Sequence, residues 1–198
     1  MQIKSTLTNR SGQVLDTIYY EDIDPALNLE GKILQGVHGF CFYGDKMVIV
    51  YNADRQSWSP PGGGIEEGET YEHAVVREVL EETNMKVLHK ELIGFIDIYG
   101  LERTIRQTRS FCIVEPYGDF IADPDGDVTE IKLIDPKDYK KYFDWGVVGE
   151  RVMERAEELN KEIKEIIKKS VVSDWNKKSL ALWSLVFNIR PARKGRFA

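Results

Sequence analysis

The sequence predicts a mixed α/β (α+β) fold, and three observations carry that prediction. Two β-rich runs flank the Gly44-Asp45 pair, a helical segment opens after Thr70, and three further β-rich runs follow it. With 198 residues, the chain suits one domain with appendages. Its 42% hydrophobic and 30% charged content fits a soluble globule. A net charge of -6 disfavours broad, sequence-independent binding to nucleic acid or anionic membrane. No run approaches the roughly 18 apolar residues of a membrane span, and the first residues lack a secretory apolar stretch, so a cytoplasmic protein is expected.

Residues 1–35 carry turn signals at Asn9 to Gly12 and at Asp24-Pro25, and read as an N-terminal extension. From residue 36 to 143 the pattern is that of a domain. VHGFCFY and KMVIVY predict a hairpin with strands at 37–43 and 46–51. Pro60, Pro61 and the glycines at 62, 63, 64 and 68 make Asn52 to Thr70 a long loop. Thr70 is a helix cap for YEHAVVREVLEET, and Glu72 suits its electropositive first turn. Asn84 stops that helix, because Asn tolerates the left-handed conformation just past a helix end. The segments KVLHKELIGFIDIY, TRSFCIVEPY and VTEIKLI are strands by their β-branched and aromatic content.

Residues 144–198 read as a helical pair and a basic tail. Val148, Val152, Ala156, Leu159, Ile163 and Ile166 recur at helical spacing, opposite a face of Glu, Lys and Arg. A second helix is expected from the Ser173-Asp174 cap to Pro191, with Trp175, Leu182, Trp183, Val186 and Phe187. These apolar faces either pack on the domain or meet a second copy in a homodimer. Cys41 and Cys112 fit no metal or redox spacing and read as small buried residues.

The chemistry concentrates in Gly63 to Met85. At about 100° per residue, Glu78, Glu81 and Glu82 share a face of roughly 100°. Like charges at these spacings destabilise a helix by about 0.2–0.5 kcal/mol per pair, and they sit where the helix dipole prefers cations. Hard divalent cations take carboxylate oxygens, so Mg²⁺ or Mn²⁺ is the natural counter-charge; the bland alternative is a solvated acidic face after a flexible loop. Val75, Val76, Val79 and Leu80 would bury the adjoining arc.

The same segment resembles the Nudix box: a Gly, five residues, Glu, seven residues, then Arg-Glu-apolar-any-Glu-Glu-any-Gly-apolar. Gly63, Glu69, Arg77, Glu78, Val79, Glu81, Glu82 and Met85 stand at those positions, and Asn84 replaces the last Gly. The preceding Trp58-Ser59-Pro60-Pro61-Gly62 also resembles the usual approach to the box. The resemblance implies an α/β/α sandwich with a mixed sheet. It implies hydrolysis of a nucleoside diphosphate linked to another group, a small-molecule substrate. Carried over by position, it implies Glu78, Glu81 and Glu82 as metal ligands with the Gly63 carbonyl. Arg77 would orient a glutamate and Glu69 support the loop. Glu78, Glu82 and Arg77 are thus the catalytic candidates, with Glu78 or a downstream carboxylate as base.

Weaker signals surround the box. Asp123 to Asp127 is a turn whose Asp127, or the nearby Glu130, offers an extra ligand or base; it fails the calcium-loop pattern. Arg103, Arg106 and Arg109 either reach substrate phosphates or form a solvated edge, and Arg109 is the candidate substrate contact. Trp58, Trp145, Tyr99 and Phe143 either stack on a base or belong to the core, with Trp58 the candidate. His38, His73 and His89 have no ligand spacing and read as surface or strand residues. Arg190, Arg193, Lys194 and Arg196 form the basic tail. The competing functions are a Nudix-like nucleotide-binding or regulatory module, an isomerase of allylic diphosphates, and an interaction protein acting through its terminal helices.

Overall fold

Alternation of apolar and polar residues builds most of the chain into strands. The computed structural model describes residues 1–9, 11–120, 123, 124 and 126–173. In chain order these form β1 (Gln2–Thr8), β2 (Val14–Glu21), β3 (Lys32–Tyr43), β4 (Lys46–Asn52), β5 (Ser57–Ser59), α1 (Tyr71–Thr83), β6 (Met85–Tyr99), β7 (Thr104–Pro116) and β8 (Val128–Ile134). A short 3-10 helix (Pro136–Lys141) and α2 (Gly146–Ser173) follow. One sheet holds all eight described strands in the order β1-β2-β6-β7-β3-β4-β5, with β8 also paired to β4. β3 and β7 run parallel and the other neighbours antiparallel, giving the mixed sheet the sequence predicts.

Residues 1–35 do more than extend the domain. β1 and β2 form a hairpin around the Asn9 turn, and β2 pairs with β6, so they continue the sheet at its edge. β3 begins at Lys32 rather than near residue 37, and a register shift between Leu34 and Gly36 separates its two halves.

Side-chain alternation assigns the two faces of the sheet. Val37, Cys41, Val48, Cys112 and Val114 face α1 and pack with Ala74, Val75 and Val79. At Gly39 a Cβ would lie 3.0 Å from Val79 and 3.3 Å from Val75, so glycine is what lets helix and strand approach. The intervening residues face the other way: Phe42 meets Phe111, and His38 and Phe40 meet Trp145. Arg151 of α2 pairs with Glu21 of β2 at 2.6 and 3.0 Å. Val148, Val152, Ala156 and Leu159 are buried as their spacing predicts, whereas Ile166 is exposed.

Two compact units divide the chain at 159/160. The second terminal helix and the basic tail expected from the sequence lie outside the described residues. Both cysteines are buried free thiols. No described helix is long and apolar enough to cross a membrane.

Candidate active site

α1 is held at both ends by the residues that the sequence marks. Thr70 accepts the His73 N–H, and Asn84 takes φ 50°, ψ 37° while its own N–H donates to Leu80. Its side chain donates to the Asp119 carbonyl at 2.7 Å, a bond the usual glycine could not make.

The glycine loop is laid against β3 by backbone bonds. Gly39 N–H donates to Pro61 and Val37 N–H to the Gly63 carbonyl, at 2.8 and 3.0 Å. Gly62 has φ 152°, and a Cβ there would come within 2.1 Å of the Val37 carbonyl oxygen. This packing aims the Gly62 N–H at Glu82, whose carboxylate accepts it at 2.7 Å. At Gly63 the place of a Cβ is filled instead by the Glu78 carboxylate, both of whose oxygens lie 2.6 Å from it. The loop and the last turns of α1 therefore bring Gly63, Glu78 and Glu82 together, as the sequence expects.

Arg77 is the hub of the site. Its Nε and Nη2 grip Glu69 in a fork at 3.0 and 2.9 Å, and Nη2 also donates to the Gly64 carbonyl at 2.8 Å. Nη1 donates to Glu78 and Glu81, each at 3.0 Å. Glu69 in turn accepts the Glu66 N–H at 3.1 Å, which folds the loop back on itself. Hydrogen bonding to Arg77 lowers the Glu69 pKa, and the surrounding carboxylates, Glu69 first, raise that of Arg77.

Glu82 shows the opposite electrostatics. Burial pushes its pKa up to about 8, against the Gly62 hydrogen bond, and the charges of Glu78 and Asp123 push further in the same direction. Asp123 is the residue that the sequence reading leaves as part of a turn. It is 7% exposed, and accepts the N–H groups of Asp127 and Val128 at 3.1 Å. An Asp opening an Asp-Pro-Asp-Gly turn commonly bonds its own following backbone, and that is the signal which could have singled it out. Asp127 and Glu130 are exposed.

The candidate substrate contacts are not brought to these carboxylates. Trp58 pairs with Tyr51 on the side of β4 and β5 away from α1, packs on Tyr142, and has the Lys132 ammonium 4.4 Å from its ring centre. Arg109 lies opposite His38 in the parallel register and shares its face, also away from α1. Arg106 is no solvated edge: it is 1% exposed and paired with Asp97. His38 is half-buried, its pKa pushed well down by burial and then by Arg109.

Among the described residues no three His, Cys, Asp or Glu side chains converge into a ready-made cation cage. The donor set nevertheless fits a hard cation. It offers carboxylate oxygens of Glu78, Glu81 and Glu82, a backbone carbonyl at Gly63 with one lone pair beyond its bond to Val37, and a glycine cradle that any side chain would fill.

The NUDIX domain family model matches residues 35–155. The chain belongs to this family. An RNA pyrophosphohydrolase from Afipia carboxidovorans is 33% identical over 132 residues, covering 64% of this chain and 78% of the relative. A MutT-like protein from Streptomyces ambofaciens is 30% identical over 111 residues, 47% of this chain and 69% of the relative. The fold is also that of a Bacillus subtilis pyrophosphohydrolase, with TM-score 0.59 at 20% identity over 78% of this chain and 96% of that one. The Nudix box Gly63 to Met85 and the mixed sheet that carries it are thus one unit.

Proposed function

We infer that this chain is a Nudix-type pyrophosphohydrolase whose substrate is a nucleoside diphosphate linked to another group, split at the phosphoanhydride. The observation that carries the reading is the convergence of Glu82 and Glu78 on the glycine loop. Burial there makes ionised carboxylates costly unless a cation shares them.

Glu78, Glu81 and Glu82, with the Gly63 carbonyl, would hold Mg²⁺ or Mn²⁺. When bound, the cation supplies charge neutralisation for the diphosphate and a lowered pKa for an attacking water. Arg77 keeps the carboxylates in place, since its forked grip on Glu69 anchors the same guanidinium that donates to Glu78 and Glu81. Glu82, fixed by the Gly62 N–H, is one candidate base, and Glu78 is the other. Residues 36–143 are the part we assign to catalysis, and the cytoplasm is the compartment we propose.

The alternative is a NUDIX module that binds without cleaving. A solved NUDIX domain of Shewanella oneidensis NrtR, complexed with ADP-ribose, shares the fold with TM-score 0.52 at 20% identity, over 69% of this chain and 93% of that one. The intact acidic set Glu78, Glu81 and Glu82 favours hydrolysis.

The test is product release from a panel of nucleoside diphosphate derivatives with Mg²⁺, with Mn²⁺ and with chelator. Turnover is expected to need the metal and to fall at least about 100-fold in Glu82→Gln, the loss typical of a general base. Full turnover by that variant would remove Glu82 from the site. Ligand binding without turnover across the panel would favour the binding module.

A further inference from the structure

β1 is one end of the sheet: among the described residues it pairs with β2 and with no other strand. At the two ends of this ladder the Met1 carbonyl accepts the Glu21 N–H at 3.0 Å, and the Asn9 N–H donates to the Gln13 carbonyl at 2.9 Å. The register between them is unbroken, so odd-numbered residues of β1 bond to β2 and even-numbered ones turn both backbone groups outward. Gln2, Lys4, Thr6 and Thr8 therefore present a row of N–H and C=O groups along the open edge, and all four are exposed. The Ser5 hydroxyl leans to the Thr6 carbonyl at 3.5 Å, too long a contact to close that group.

Sheets normally guard such an edge. At the other end of this one, β5 is three residues long and runs into Pro60-Pro61, and β8 carries Glu130 and Lys132. β1 has seven residues with no proline, glycine or bulge, and its one charge is Lys4. The half-buried set Ile3, Ser5 and Leu7 has strand neighbours on the β2 side alone.

A second copy of the same strand, antiparallel about a two-fold axis at Ser5, completes both rows. Gln2 falls opposite the second copy's Thr8 and Lys4 opposite its Thr6, so every outward N–H and C=O of the even-numbered residues is matched. Ile3 falls opposite the second copy's Leu7, and Leu7 opposite its Ile3, at the closer non-hydrogen-bonded positions. The side chains also select this register. A slide of two residues one way sets Lys4 against Lys4, a slide the other way sets Ile3 against Asn9, and each loses a pair of the ladder.

We propose that β1 is a self-association edge, through which two copies of this chain join their sheets into one that runs unbroken across the two-fold axis. Seven residues a side make a small contact, so the dimer is reversible and concentration-dependent. α1 packs on β3, which β2, β6 and β7 separate from β1, so the proposal stands or falls apart from the reading of the active site.

The test is sedimentation equilibrium of the full chain, of Thr6→Lys, of Thr6→Glu, and of Lys4→Glu combined with Thr6→Lys. Both positions are exposed and outside the bonds between β1 and β2, so the fold is kept. The native chain should dimerise as its concentration rises. Thr6→Lys sets like charges against Lys4 across the axis and should weaken the dimer, whereas Thr6→Glu sets opposite charges there and should tighten it. The two dissociation constants should differ at least about tenfold, and the double variant, with opposite charges restored, should be tighter than Thr6→Lys alone. Amide hydrogen exchange by NMR reads the same edge. The N–H groups of Gln2, Lys4, Thr6 and Thr8 should gain protection as the dimer forms, while those of Ile3, Ser5 and Leu7 are protected at every concentration. A monomer at every concentration, equal dimerisation of Thr6→Lys and Thr6→Glu, or even-numbered amides left unprotected in the dimer would overturn the proposal.

Discussion

At Glu82 burial and two neighbouring acids act on one proton, and the pH dependence follows. The folded carboxyl has a pKa of about 8 against 4.5 unperturbed, so between these values the native chain binds more protons than the unfolded one. Its contribution to stability is therefore complete below about pH 4.5 and is lost as pH rises through 8. In chelator, the melting temperature should carry a downward slope across that window which Glu82→Gln flattens. An identical slope in the variant would assign the effect to other groups. Arg77 and Glu69 show what can be read at this scale from sequence: each sits at a box position, and the structure joins them by a fork. Asp123 shows what cannot, since its influence on Glu82 depends on a loop geometry that spacing along the chain does not express.

Elements were legible where local chemistry decides them. The ends of α1 follow from Thr70 and Asn84, two side chains whose preferences act within four residues. The start of the sheet was not, because β1 is an edge strand in which Ile3, Ser5 and Leu7 alternate with polar residues and are only half-buried. β1 is held by β2, and β2 by β6, a partner some 80 residues away, which local propensity cannot show. The Asn84 cap supplies the prediction here. Asn84→Ala forces a Cβ-bearing residue without local hydrogen bonding into φ 50° and should cost about 1–2 kcal/mol in urea unfolding. Asn84→Gly keeps the turn and loses only the bond to Asp119, so it should stay within about 1 kcal/mol of the native chain. Equal losses in both would mean that the side-chain bond, and not the backbone turn, sets the role of this residue.

Across the whole molecule, contacts between distant segments hold the layers in place. Arg151 ties α2 to β2, and Arg106 straps residues 22–31 across one end of the sheet. The Arg106 guanidinium forks onto Asp97 at 2.7 and 3.0 Å, donates to the carbonyls of Pro25 and Leu27, and lies 3.8 Å from the Phe95 ring centre. Lys32 adds a second cation to Asp97 at 2.7 Å. Read as one of three arginines in a run, Arg106 gives no sign of burial. Counted outward from the Gly100–Arg103 loop it falls directly across the hairpin from Asp97, and that opposed pair was available in the sequence. Removing one partner of a buried ion pair leaves the other charged group undercompensated, which typically costs about 3–5 kcal/mol. Arg106→Met should show a loss of that order in urea unfolding, because Asp97 keeps only Lys32 and two strap carbonyls lose their donor. Replacing both partners, Arg106→Met with Asp97→Leu, should recover part of the loss, since no undercompensated carboxylate then remains. A single variant within about 1 kcal/mol of the native chain would show that the strap is held by its packing and that the ion pair is incidental.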